Sequence, residues 1–311
     1  MELSRTVRSD AVVVGVGDDA AAWHVSAGAL AVVSTDTLVE DVDFRRSYQS
    51  PYQVGWKAWR AAVSDLAAMG ADAGGGLLAA LVPARTSLTA LRAIELGLVE
   101  AAAEDGAVVL GGDLSGTAGP LALTVTVLGE LGDRDPVQLG GGSPGDAVLV
   151  TGSLGLAAAA LELLERGCGD VPPAWRQRLL QPGARLEAGR ALRRLGASAM
   201  TDISDGLLLD AARIGAASRV GMEIWLDRLP LGAGLQPDSA GRSLALNGGE
   251  DYELLAAISP IRLGSVLAGW GDQLPPISEI GRLTEEPGVR LLSRPGGEPV
   301  ALPERDGFRH F

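Results

Sequence analysis

The segment "GDRDPVQLGGGSPGD" (132–146) limits the folding of this chain more than any other. Its glycines and prolines cannot sustain the interior of a helix or a strand. It therefore reads as the boundary between two separately folded parts. On both sides of it, short β-rich runs alternate with longer alanine-rich stretches. Before it, strands are predicted at 11–16, 29–35, 76–82, 107–110 and 120–129. Helices are predicted at 52–69 and 87–104, where apolar residues recur every three or four positions. After it come strand 147–151, helix 154–166, helix 184–195, strand 198–202, helix 206–218 and strand 222–227. Helix 239–246, strand 253–258, helix 260–270 and strand 277–283 complete the order. This alternation predicts an α/β (α+β) fold in two domains, 1–135 and 136–311. A chain of 311 residues with 47% hydrophobic side chains can fill two cores.

Charge narrows the partners. A formal net charge of −13 argues against a nucleic-acid surface and against an anionic membrane. The N-terminus has no apolar core of the signal-peptide kind, and no run approaches the roughly 20 apolar residues that span a bilayer. The expectation is a soluble, cytoplasmic protein. Cys168 is the one cysteine, so no disulfide framework is available, and it reads as a bystander thiol. With only His24 and His310, histidine-based acid–base chemistry has little material; His24, beside Trp23 and other apolar residues, reads as packed. Lys57 is the one lysine, and no Walker A loop occurs.

The aspartates carry the chemistry. Asp18 and Asp19 stand in "GVGDDAA", Asp36 in "VVSTDTL", Asp65 in "AAVSDLAAMGA", Asp113 in "VVLGGDLSG", and Asp202 and Asp205 in "AMTDISDGL". Taken singly, such residues start turns or cap helices, and Asp205 before "GLLLDAARI" fits a cap. Asp65 does not fit, because it lies inside a strongly apolar helical run, where an unpaired carboxylate costs several kcal/mol. Basic residues near these motifs are few. A hard divalent cation resolves the conflict: Mg²⁺ prefers carboxylate, hydroxyl and phosphate oxygens and turns an acidic pocket into a phosphate-binding one. The G-x-G-x-x-A pattern at 15–20 is discounted as a dinucleotide loop, since its two carboxylates would repel a pyrophosphate.

Eight segments in order resemble the thiamine-monophosphate kinase family, within the superfamily typified by aminoimidazole ribonucleotide synthetase. They are "GVGDDAA", "STDTLVEDVDF", "GWKAWRAAVSDLAAMGA", "GGDLSG", "PGDAVLVTGSLG", "TDISDGLLLD", "ALNGGEDYELL" and "GFRHF". The resemblance implies an N-terminal domain that dimerises through its strands, a C-terminal α/β domain, and ATP and substrate bound in the cleft between them. It implies ATP-dependent phosphorylation of thiamine monophosphate to thiamine diphosphate, with several Mg²⁺ ions, by a homodimer. Matched by motif, Asp19, Ser34, Thr35, Asp36, Asp65, Asp113, Asp202 and Asp205 form the metal shell, with Asp36, Asp65 and Asp205 in the catalytic role. Gly112, Asp113 and Ser204 lie against the nucleotide. Asp43, Glu250 and Phe308 occupy substrate-side positions, Phe308 as an aromatic plate for a heterocycle. The acceptor is already an anionic phosphate oxygen, so catalysis reduces to in-line positioning and charge neutralisation.

The chain departs from the family pattern at three positions. "DVDF" stands where relatives read "GVHF", so Asp43 replaces a histidine and Asp41 a glycine. Leu139 stands where an arginine is usual, with Arg134 a candidate substitute. Two other readings follow: a related ATP-dependent kinase or synthetase with another phosphorylated acceptor, and a non-catalytic nucleotide-binding regulator.

Overall fold

The computed structural model describes residues 12–14, 22–132 and 135–302. The chain divides into two compact units, Met1–Leu66 with Ala71–Asp135, and Ala67–Gly70 with Pro136–Phe311. The two short strands β1 (Val12–Val14) and β2 (Ala22–Trp23) pair antiparallel near the start. His24, expected to be packed, is exposed just after β2.

The rest of the first unit is built from β3 (Leu30–Val39), α1 (Pro51–Met69), β4 (Asp72–Pro83), α2 (Leu88–Glu104), β5 (Val108–Thr117) and β6 (Ala122–Leu131). The last turn of α1 belongs to the second unit. The strands form one sheet in the order β3-β6-β4-β5, in which only β4 and β5 run parallel, joined by α2. Strand β6 alternates without a break between buried and half-buried residues, the signature of a sheet with one covered face. Leu123, Val125 and Val127 point into the core; Thr124 and Thr126 point away from it. Helices α1 and α2 approach closely because each offers a glycine to the other. A Cβ at Gly55 would stand 1.9 Å from the Ile94 carbonyl oxygen, and one at Gly97 1.9 Å from that of Tyr52.

Two strands are longer than the sequence suggests. Strand β3 continues to Val39, so Asp36 lies inside a strand rather than at a turn. Strand β5 continues through "GGDLSG", so Asp113 is also a strand residue. The glycines read as turn signals, yet Gly112 is needed because a Cβ there would come 2.0 Å from the Leu78 carbonyl oxygen across the sheet.

The second unit contains β7 (Ala147–Thr151), α3 (Leu156–Glu165), α4 (Pro173–Leu180), α5 (Leu186–Leu195), β8 (Ala197–Asp202) and α6 (Leu207–Ser218). It continues with β9 (Gly221–Trp225), α7 (Ser239–Asn247), β10 (Leu254–Ile258), α8 (Pro260–Gly269), β11 (Ile277–Thr284), β12 (Gly288–Leu292) and β13 (Pro299–Val300). Its sheet has the order β13-β12-β9-β11-β7-β10-β8, antiparallel except between β9 and β12. Val148, Val150, Leu255 and Ala257 from the sheet and Leu207, Ala211 and Ile214 from α6 pack into one core. Helix α4 escapes the sequence pattern because Leu179 and Leu180 alone of its residues are buried, too few for a period. Strands β2, β12 and β13 are likewise absent from the sequence-based order.

Candidate functional site

In the first unit, β3 and α1 bring two of the candidate residues together. The Ser34 hydroxyl donates to Asp65 Oδ2 at 2.5 Å. Burial pushes the Asp65 carboxyl above the ordinary range, opposed by the Ser34 hydrogen bond. Asp36 shares the Ser34 face because side chains two apart on a strand point the same way; its Oδ1 accepts from the Thr37 amide at 2.8 Å. Thr35 points to the opposite face, where its hydroxyl lies 3.1 Å from that of Thr126. Asp113 belongs to that opposite face too. It pairs with Ala79, which pairs with Thr124, which pairs with Thr37. The sheet thus separates Ser34, Asp36 and Asp65 from Thr35 and Asp113. Among the described residues no three His, Cys, Asp or Glu side chains gather as a metal site. Asp19 and Phe308 lie outside the described residues, as does Arg134.

The turn after β3 is tightly tied. Asp41 adopts a left-handed φ of 69°, a conformation that favours glycine and that Asp tolerates. Asp43 Oδ2 accepts from the Val39 amide at 2.7 Å, and Lys57, 2% exposed, donates to the Asp43 carbonyl oxygen at 3.0 Å. Glu40 accepts from Arg85 at 3.0 Å and from the Leu121 amide at 3.2 Å. The Asp43 carboxylate is therefore engaged in the turn itself. Asp43→Ala is expected to cost about 1 kcal/mol of stability through the lost hydrogen bond, while Asp43→Asn retains an acceptor and costs less. Denaturant melts check this. An acceptor KM changed by more than about tenfold in Asp43→Asn, equal to about 1.4 kcal/mol, would assign Asp43 to substrate contact instead.

In the second unit, "TDISDGLLLD" runs from the end of β8 into α6. Asp202 is buried and pairs with Leu254 of β10. Asp205 does not cap α6, contrary to the sequence expectation. Gly206, at φ 118°, is the N-cap without a side-chain bond. The capping is done from inside the helix by Asp210, fully buried, whose Oδ2 accepts from the Asp205 and Gly206 amides at 3.2 Å each. Arg213 donates to Asp210 Oδ1 at 2.7 Å and also pairs with Asp205. Burial pushes the Asp210 carboxyl up to about 6, although the Arg213 charge pulls it down. Arg213, the cation that pairs with Asp205 and Asp210, is not marked by the motif "DISDGL".

The segment "NGGEDYEL" lies against this turn. The Glu250 amide donates to the Ser204 carbonyl oxygen at 2.8 Å, and the Tyr252 amide to that of Ile203 at 2.9 Å. So Ser204 and Glu250, both singled out in the sequence, are neighbours through the backbone. Asp251 points inward and accepts from the Gly155 amide at 2.9 Å. Burial pushes its carboxyl up to about 7, against that hydrogen bond and the Arg178 charge. A carboxyl raised in the folded state stabilises the protein fully below its unfolded value near 4, and that contribution is lost as pH rises through about 7. Asp251→Asn is therefore expected to raise Tm at pH 8, with the gain shrinking towards pH 5; a gain independent of pH would contradict this. Asp210, Arg213, Asp251 and the buried Glu253 escape the sequence reading because a charge pattern does not say which acids are buried.

Comparison with known proteins extends over both units. Residues 17–131 match the family model "AIR synthase related protein, N-terminal domain", and residues 143–293 match "AIR synthase related protein, C-terminal domain". The thiamine-monophosphate kinase of Bacillus subtilis (strain 168) is 32% identical, over 99% of this chain and 96% of that protein. The crystal structure of thiamine-monophosphate kinase from Stenotrophomonas maltophilia K279a superposes with a TM-score of 0.86 at 33% identity, over 94% of each chain. The structure of AaThiL complexed with AMPPCP and TMP superposes with a TM-score of 0.78 at 32% identity, over 100% of this chain and 95% of that one.

Proposed function

The chain belongs to the thiamine-monophosphate kinase family of AIR synthase related proteins, and we propose that it transfers the γ-phosphoryl group of ATP to thiamine monophosphate, giving thiamine diphosphate. The observation that carries this reading is the full-length likeness to AaThiL, solved with AMPPCP, an ATP analogue, and TMP. The aspartate-rich motifs support it, because a phosphate acceptor needs charge neutralisation and alignment rather than a general base.

Carboxylate and hydroxyl oxygens are the donors that hard divalent cations such as Mg²⁺ take. In the first unit, Ser34, Asp36 and Asp65 offer oxygens on one face of the sheet. The half-buried Asp65 has Ser34, not a cation, as its hydrogen-bond donor among the described residues. Thr35 and Asp113 offer oxygens on the other face, and Asp19 is assigned to the same role by motif. In the second unit, Asp202 and Asp205 would hold metal. When bound, the ion would neutralise the charge of the transferring phosphoryl group and its leaving oxygen. The protein's own part is positioning. Gly112, Asp113 and Ser204 would lie against the nucleotide. Glu250 would contact the acceptor, and Phe308 would stack on its ring. Leu139 supplies no charge to the nucleotide, so Arg213 on α6 is the described cation closest to Asp205.

We infer a homodimer through the open face of the first sheet. Val33 is 64% and Leu81 50% exposed there, alongside the threonine rows. Leu81→Glu is expected to shift the sedimenting species from dimer to monomer; a monomeric parent protein would overturn this. No described helix is long and apolar enough to cross a membrane.

The direct test is ADP release with thiamine monophosphate and a panel of other phosphorylated acceptors. Release that requires thiamine monophosphate supports the proposal. Release with another acceptor reassigns the substrate, and ATP binding without release would make the protein a nucleotide-binding regulator.

A further inference from the structure

Two residues in the turn after α7 adopt a backbone that side chains other than glycine disfavour. Glu250 has φ 67° and Tyr252 has φ 48°. Such conformations persist only where the surroundings over-determine them. The surroundings here are two turns pressed backbone to backbone. A Cβ at Gly249 would come 2.5 Å from the Ser204 carbonyl oxygen, and one at Gly206 2.9 Å from that of Asn247. The Ile203 amide donates to the Glu253 carbonyl oxygen at 2.7 Å, which closes the ladder begun by Glu250 and Tyr252.

Immediately after this turn stands Glu253, 1% exposed. Arg185 grips its carboxylate with two bonds, Nε to Oε2 and Nη2 to Oε1, both 2.6 Å. Arg178 donates to Oε1 at 2.6 Å, and the Thr151 hydroxyl to Oε2 at 2.7 Å. Gly152 is open for the same carboxylate, since a Cβ there would lie 2.0 Å from Oε1. Arg178 also donates to the Asp251 carbonyl oxygen at 3.0 Å, so one guanidinium holds both the turn and its anchor. Despite burial, the Arg185 hydrogen bonds and the charges of Arg185 and Arg178 hold the Glu253 carboxyl below the usual range. Stability alone does not call for such a cluster, because apolar residues of similar volume do as well. A bidentate guanidinium fixes direction, which apolar packing does not.

We propose that Glu253, clamped by Arg178, Arg185 and Thr151, is a positioning residue that aims Glu250 at the phosphorylated acceptor. This rests on the assignment of Glu250 to acceptor contact in the proposed reaction. The side chains of the clamp bond Glu253 and the Asp251 carbonyl oxygen, and Ser204 meets the turn through its backbone carbonyl oxygen, so the larger effect is expected on the acceptor side.

The test is Arg185→Lys, which keeps the charge and removes the fork. Acceptor KM is expected to rise about tenfold with ATP KM within about twofold, a split that general destabilisation does not produce. In a Glu250→Gln background the same substitution should add little, because the two residues act in series. Amide hydrogen exchange at Glu250 and Tyr252 should accelerate about tenfold in Arg185→Lys, with the α6 amides unchanged. If Arg185→Lys does not fold, Arg178→Lys carries the same readouts. Equal effects in both backgrounds, or unchanged exchange at 250 and 252, overturn the proposal. If the parent protein lacks thiamine-monophosphate-dependent turnover, the functional reading fails, and the exchange measurement still decides whether the clamp holds the turn.

Discussion

Asp65→Asn is expected to lower turnover roughly 10²-fold or more while leaving the protein folded and slightly more stable. The size follows from removing one strong electrostatic contact to the charge that develops in the transition state. The stability change has the opposite sign for a local reason. Burial raises the Asp65 carboxyl above its ordinary range, so the folded protein resists the charge that the asparagine lacks. Asparagine still accepts from Ser34, so the link between β3 and α1 survives. Steady-state ADP release together with a thermal melt separates the two effects. A variant that kept its activity, or one that melted, would make Asp65 a structural residue.

Removing divalent metal is expected to abolish turnover outright. Every side chain assigned to the metal shell is an oxygen donor, most are carboxylates, and the phosphates are anionic, so the two repel unless a cation intervenes. Activity should rise with Mg²⁺ in excess of ATP and vanish in chelator. Metal-dependent ATP-analogue binding, measured by calorimetry without turnover, should be lost in the same conditions. Undiminished turnover in chelator would end the metal assignment.

The order of most elements was legible because hydrophobic period and chain punctuation act locally. Helix α1 begins and ends within a residue of its sequence prediction, since a long apolar period outweighs other signals. Strand β5 was cut short for the converse reason: "GGDLSG" looks like a turn, and only the close approach of Leu78 across the sheet explains Gly112. Candidate acids were legible as letters in motifs. Their division between the two faces of the first sheet was not, because it depends on β4 and β6 lying between β3 and β5. The Glu253 clamp was invisible for a similar reason. Arg178 sits on a helix with no clear apolar period, and nothing local to "GGEDYEL" indicates that its second glutamate is buried.

The reciprocal glycines of α1 and α2 set a mechanical condition on the first unit. Each helix receives a carbonyl of the other where a side chain is missing, like a key in a slot. Sliding one along the other by a single residue, about 1.5 Å, would take each carbonyl oxygen out of the slot that the missing Cβ leaves. The helices therefore resist shear and move together or not at all. Since α1 carries both Lys57, which holds the turn at Asp43, and Asp65, which meets Ser34, the separation between these two anchor points is fixed by the rod rather than by any ligand. Binding at one end can rotate side chains, but it cannot lengthen the span.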